Sequence, residues 1–190
     1  MQRIAIFASG TGSNARKIVE HFKGHPSIEV NLVVSNKATA PVLDMAAEHG
    51  IPTLVLKRSS FYETEELLAQ LRGIDLIVLA GFLWLVPDYL VRHFPRKIVN
   101  IHPALLPKYG GKGMYGKYVH QAVQAAGEAE SGITIHYVNE HYDEGRVIFQ
   151  TSCSLEPEDD AEAIARKVLE LEHRHFAPVI EQLLTINYRS

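Results

Sequence analysis

Three short stretches of this chain combine residue types that do chemistry. Asn100-Ile101-His102-Pro103 places an amide and an imidazole two residues apart. In an extended strand, positions i and i+2 share a face. An amide donor beside an imidazole can stabilise a developing oxyanion and move protons near neutral pH. A structural histidine next to an Asn turn is the plainer alternative, in a chain with ten histidines. Gly10-Thr11-Gly12-Ser13-Asn14-Ala15 sits between an apolar run and a segment of helical character. Its glycines permit tight turning, and the free N–H groups of a helix start suit a phosphate. A glycine turn with Ser13 or Asn14 as the helix cap accounts for the same residues. Asp143-Glu144-Gly145 offers a carboxylate that would raise and orient a nearby imidazole, or simple turn chemistry.

The elements that must position these residues read as alternating strands and helices. Arg3–Ala8, Ile28–Ser35, Thr53–Leu56, Asp75–Ala80 and Lys97–His102 are strand-like, and Asp75–Ala80 has the continuous apolar character of a strand covered on both faces. Helices are expected at Ser13–His21, Pro41–His49 and Pro87–Phe94, and another after a capping box at Ser60–Glu63, with Leu67, Leu68 and Leu71 as its apolar face. The spacing predicts a parallel α/β sheet, Rossmann-like and flanked by helices. Gly132–Val138 and Arg146–Ser154 suggest a late antiparallel pair, preceded by a helix at Tyr118–Ala126. Asp159 or Asp160 should cap a final long helix that Pro178 kinks or ends. Ligands of such sheets bind beyond the carboxyl ends of the strands, where all three polar stretches fall.

Composition narrows the classes. With 190 residues, 46% hydrophobic and 22% charged, the chain is of ordinary globular make-up, and a single domain over 1–190 is expected. The net charge of −3 disfavours a nonspecific nucleic-acid binder. Cys153 is the one cysteine, which excludes an internal disulfide framework and leaves it an ordinary strand residue. No signal peptide and no membrane span is legible, so a cytoplasmic protein is expected. The glycine run grazes the pattern G-x-G-x-x-A, but Ser35-Asn36-Lys37 offers no acid for a ribose, and no Gly-Lys-Ser/Thr follows. His173 with His175, and His136 with His141, are possible metal pairs that match no metal-site spacing, so no metal is expected. Gly81–Val86 fits either core packing or the wall of a flat apolar ligand's pocket.

Taken in order, Phe7–Asn14, Val34–Lys37, Leu79–Phe82, Asn100–Tyr109, Asp143–Gly145 and Glu172-His173 make the chain resemble, over nearly its whole length, the phosphoribosylglycinamide formyltransferases, folate-dependent enzymes of purine synthesis. The Asn-Ile-His-Pro and Leu-Leu-Pro motifs are specific to folate formyltransferases, and the Gly-Ser-Asn loop points to a phosphoribosyl substrate. The resemblance implies that Asn100, His102 and Asp143 are catalytic and that Gly12, Ser13 and Asn14 hold the substrate phosphate. It implies that Glu172 contacts the glycinamide. Leu83, Trp84, Leu85, Val86, Asn100, Asn139, Glu140, His141, Tyr142 and Asp143 would line the folate pocket. The co-substrate would be 10-formyltetrahydrofolate, the partners small molecules rather than nucleic acid or membrane, and no metal is needed. Oligomeric state is not legible.

The implied chemistry is attack of the glycinamide amine on the formyl carbon. Asn100 and a protonated His102 would stabilise the oxyanion, and Asp143 would favour the imidazolium. Three departures from the family stand out. Trp84 sits where many relatives have Arg, Gly110–Lys117 is longer and richer in glycine, and a folate-contacting arginine has no clear match beyond nearby Arg58. The Gly110–Lys117 run is expected to be mobile when empty and to close over bound substrates. Rival readings are a methionyl-tRNA formyltransferase, expected to carry a further C-terminal domain, a formyltetrahydrofolate hydrolase, expected to carry an N-terminal regulatory domain, and a noncatalytic nucleotide-binding module, which leaves Asn100, His102 and Asp143 without a role.

Overall fold

Apolar runs without polar alternation require cover on both faces, and the fold supplies it. A computed structural model describes residues 1–186. In chain order the elements are β1 (Gln2–Phe7), α1 (Ser13–Phe22), β2 (Ile28–Ser35), α2 (Pro41–Glu48), β3 (Thr53–Val55), α3 (Arg58–Glu63), α4 (Leu67–Gln70), β4 (Leu76–Leu79), α5 (Asp88–His93), β5 (Ile98–His102), α6 (Lys117–Ala125), β6 (Glu130–Tyr137), β7 (Val147–Ser154) and α7 (Ala161–Ile186). The seven strands form one sheet in the order β3-β2-β1-β4-β5-β6-β7. The first five in that order run parallel, and β6 and β7 are each antiparallel to the strand before them.

Strand periodicity divides the core in two. Ile4 and Ile6 of β1, Val78 of β4 and Val99 of β5 pack under α1, α2 and α7. Ala5 and Phe7, Ile77 and Leu79, and Ile98 face the opposite way, onto Phe61, Leu67 and Leu90 of α3, α4 and α5. Both faces of β1 and β4 are therefore dry, which is why their sequences read as unbroken apolar runs.

Three local expectations change. Ser60 does not cap a helix: α3 already begins at Arg58, and Ser60 Oγ donates to the Lys57 carbonyl at 3.2 Å. Thr64 is extended, so the predicted helix is split and α4 is one short turn. Leu67 and Leu71 are buried nonetheless, because burial of an apolar face does not require a long helix. Pro178 does not end α7, which continues to Ile186. Phe176, Ala177, Val179 and Ile180 around it are all buried, and their packing outweighs the backbone hydrogen bond that proline cannot make. At the other end Asp160 is the cap, its Oδ1 accepting the Ala163 N–H at 2.8 Å.

Candidate active site

Parallel packing of β1, β4 and β5 aligns their carboxyl ends, and a cavity of about 390 Å³ opens there. Asn14, Asn100, His102, Glu172, Lys37 and Leu83 are among the residues on its wall. Of the residues the resemblance singles out, Asn14, Leu83, Asn100, His102 and Glu172 thus share one wall although far apart in the chain, whereas Gly12, Ser13 and Asp143 lie off it.

The loop after β1 is shaped by Gly12, which has φ +74° and caps α1. A Cβ there would collide with the Val42 side chain on α2, so glycine is required by both backbone and space. No side chain caps α1, which leaves its opening N–H groups available to an anion. Ser13 and Asn14 form its first turn. Asn14 Nδ2 donates to Glu172 Oε2 at 2.7 Å, and Asn14 Oδ1 is buried without a partner among the described residues. Glu172 is itself buried on α7, and that burial pushes its carboxyl up to about 7 against the Asn14 hydrogen bond.

Asn100 and His102 project together from β5, as their spacing predicts. The antiparallel partner β6 adds His136, which pairs directly with Asn100, and Thr134, which pairs with His102. His136 Nδ1 donates to the Tyr137 carbonyl at 2.8 Å, and its Nε2 lies 3.1 Å from the Asn100 amide nitrogen. Thr134 is fully buried, and its hydroxyl donates to the Ala104 carbonyl and accepts the Leu106 N–H, fixing the turn that leaves His102. The readable signal for His136 and Thr134 was a polar i, i+2 pair inside an apolar strand.

His102 is 3% exposed. Its Nε2–H donates to the Tyr109 carbonyl at 2.7 Å, and Nδ1 lies 3.5 Å from Asp143 Oδ2. Burial pushes its pKa below the ordinary histidine value, although Asp143 and the Tyr109 carbonyl pull upward. Asp143 does pull toward the imidazolium, but desolvation of the charged ring is the larger effect. Asp143 sits behind His102 with φ +58°, accepting the Gly111 N–H at 3.0 Å and standing 3.6 Å from His136. Burial works against its charge, but His136, His102 and Gly111 together hold its carboxyl below the usual range.

The remaining expected residues surround this centre. Of Leu83–Val86, Leu83 reaches the cavity wall, Trp84 packs against Phe61, Tyr62 and Phe82, and the Val86 side chain is core. Leu85 offers its carbonyl to the Tyr62 hydroxyl at 3.1 Å. Arg58 lies over the Tyr62 and Trp84 rings, 5.0 and 5.4 Å from their centroids, so the departures at Trp84 and Arg58 form one cluster. Asn139–Tyr142 makes a surface loop in which Asn139 Oδ1 accepts the His141 N–H, and neither Glu140 nor His141 reaches the cavity wall. Met114, Tyr115 and Gly116 of the glycine-rich run, and Lys37 after β2, do reach it, and were not singled out from sequence as site residues. Cys153 is a half-buried strand residue, its thiol pushed up by burial.

A sheet whose parallel strands end on an amide and an imidazole, backed by a carboxylate and beside an uncapped helix start, can hold an anion next to groups that move protons. Residues 2–180 match the Formyl transferase family, and the chain belongs to it. It is 43% identical to the chloroplastic phosphoribosylglycinamide formyltransferase of Arabidopsis thaliana, with 94% of this chain and 64% of that protein covered. It is 35% identical to phosphoribosylglycinamide formyltransferase of Bacillus subtilis, with 100% and 98% covered. The chain thus spans under two thirds of the plant relative's length and nearly all of the bacterial one's. The crystal structure of phosphoribosylglycinamide formyltransferase from Bacillus halodurans superposes with a TM-score of 0.86 at 36% identity, covering 96% of this chain and 95% of that one.

Proposed function

We propose that this chain transfers the formyl group of 10-formyltetrahydrofolate to the amine of 5'-phosphoribosylglycinamide, giving formylglycinamide ribonucleotide and tetrahydrofolate. The observation that carries the reading is the shared cavity, in which Asn14, Glu172, Asn100 and His102 face one space. Similarity to proteins of that name supports the choice of substrates. The setting is de novo purine synthesis in the cytoplasm, with one formyltransferase domain over 1–190.

The substrate phosphate lies on the N–H groups opening α1 at Gly12, Ser13 and Asn14, with Lys37 as a nearby cation. Asn14 Oδ1 suits a substrate donor, since a buried acceptor left unpaired is costly. Glu172 takes the glycinamide end. The folate enters past Leu83–Val86 and Asn139–Asp143, with the Trp84 and Tyr62 rings, tilted 40° to one another, as an aromatic wall.

The amine nitrogen attacks the formyl carbon, and the carbonyl pair moves onto oxygen. Asn100 donates to that oxygen. His102 starts neutral, with its Nε2 hydrogen on the Tyr109 carbonyl. The proton leaving the attacking amine is taken up by His102 on Nδ1, so the imidazolium forms as the oxyanion does, and the same proton passes on to the leaving nitrogen. Asp143 stabilises that proton on Nδ1. The C–N10 bond then breaks, and the proton lost by the amine ends on N10. Positioned proton transfer of this kind contributes about 10²–10⁴-fold. The Gly110–Lys117 run acts as a lid. Its Met114, Tyr115 and Gly116 border the cavity, and its Gly111 N–H holds Asp143, so closure and alignment of the carboxylate are one event.

The test is formyl transfer by the purified protein from 10-formyltetrahydrofolate to the glycinamide ribonucleotide, with hydrolysis in the absence of acceptor as control. Transfer is the expected result. Folate binding without transfer would leave a noncatalytic module, and hydrolysis alone would leave a hydrolase.

A further inference from the structure

At the opposite end of the sheet, where β1, β4 and β5 begin, lies a second cavity of about 430 Å³. Gln2, Leu76 and Lys97 mark those strand starts. Three cationic residues line it, Arg96, Lys97 and Arg146, against one carboxylate, Asp75. Asp75 is already engaged, its Oδ2 accepting the Arg3 backbone N–H at 2.9 Å. Among the described residues none of the three cations forms an ion pair. A structural use for them would be neutralising the carbonyls at the end of α7. The Leu184 carbonyl there instead accepts from Gln2 Nε2 at 3.1 Å.

Two features make this more than scattered surface charge. The whole chain is net negative at −3, so three cations lining one cavity run against its average. Arg96 is also held at φ +56°, the third position of the turn that the Lys97 N–H closes on the Phe94 carbonyl at 3.0 Å, which fixes where its side chain leaves the backbone. Beside the cations the wall is mixed, with Gln2 and Asp75 as well as Leu76, Pro95, Tyr137 and Leu183. A cavity of this volume holds a small molecule, with charge for one end.

We propose that this cavity is a second ligand site, for a phosphate-bearing small molecule whose phosphoryl oxygens are held by Arg96, Lys97 and Arg146. Guanidinium groups match phosphate oxygens in pairs. The site shares no wall residue with the cavity at the other end of the sheet.

Pyrophosphate is the probe, titrated calorimetrically at constant ionic strength into the full chain carrying Ser13→Asp, which blocks the uncapped start of α1. Saturable one-site binding is expected to persist in that background and to weaken at least about tenfold with Lys97→Glu and Arg146→Glu added. Arg96→Gly provides the second arm: it removes a cation at a left-handed turn position that suits glycine, so binding weakens while the melting temperature holds or rises. Unchanged affinity in both variants, or heat that vanishes at matched ionic strength, overturns the site. Loss of pyrophosphate binding with Ser13→Asp alone would assign all of it to the α1 loop and equally overturn it. A failed transfer assay touches only the reaction proposed for the other cavity, because this titration involves neither folate nor acceptor.

Discussion

Asp143 Oδ2 stands 3.5 Å from His102 Nδ1, while the opposite nitrogen of the same ring donates to the Tyr109 carbonyl. The proton that His102 gains on charging therefore arrives on the side of the carboxylate. Burial disfavours that proton and Asp143 favours it, so the charge state of the ring is set by a contest between solvent exclusion and one carboxylate.

Asp143→Asn removes the upward pull and leaves the burial. The His102 titration should move to lower pH, read from the ring's NMR shifts against pH. Formyl transfer should fall by about 10²-fold or more, with the fold retained. A His102 titration that stays in place would show that the two groups are not coupled.

Glu172 should make stability depend on pH. Its carboxyl is raised in the folded protein to about 7 from an unfolded value near 4.5. The folded state thus favours the protonated form, and its contribution is fully present below about pH 4.5 and lost as pH rises through about 7. Across that window the loss is of order 3 kcal/mol. Glu172→Gln should flatten the melting temperature over pH 5–8 and exceed the wild type at the upper end. A parallel profile for the two proteins would place the titration elsewhere.

Gly12→Ala forces a Cβ into Val42 at a left-handed position, and should cost about 1–3 kcal/mol in denaturant unfolding. Ser13→Asp tests the anion site without that strain. Its carboxylate satisfies the start of α1 and repels a phosphate, so KM for the glycinamide ribonucleotide should rise far more than Kd for folate. Equal weakening of both would move the phosphate off this loop.

Trp84 is the chain's only tryptophan and lies against Tyr62, with Arg58 over both rings. Its fluorescence should therefore report the folate side alone: a folate analogue should change it saturably, and the glycinamide ribonucleotide added without folate should leave it nearly constant. Trp84→Ala should raise Kd for folate by about tenfold through lost stacking surface. An emission insensitive to folate would remove Trp84 from that pocket.

What could be read directly from the chain was whatever depends on local pattern. The runs of β1 and β4, the i, i+2 pair of Asn100 and His102, and the Asp160 cap follow from spacing and residue type. What escaped was set by distant packing. His136 matters because β6 runs antiparallel to β5 in one register, which no single-chain period announces. The lowered His102 follows from burial, whereas sequence exposed only its carboxylate partner. Ser60 and Pro178 carry strong local signals that the burial of Phe61 and of the residues around Pro178 overrides. Arg58 joined Trp84 only once α3 was laid over the loop after β4.

The reversal of direction between β5 and β6 has an engineering consequence. Asn100 faces His136, and His102 faces Thr134, through the ladder between two strands, so their spacing is indifferent to the length of chain that joins those strands. Within that connection, residues 112–116 of the glycine-rich run can be treated as a replaceable cassette, provided the Ala104 and Leu106 contacts to Thr134, the Tyr109 carbonyl on His102, the Gly111 N–H on Asp143 and the buried Val119 and Val123 of α6 are kept. Grafted loops of other lengths would then redirect which acceptor reaches the cavity while the reacting groups stay in register, making the antiparallel pair a chassis for altered specificity.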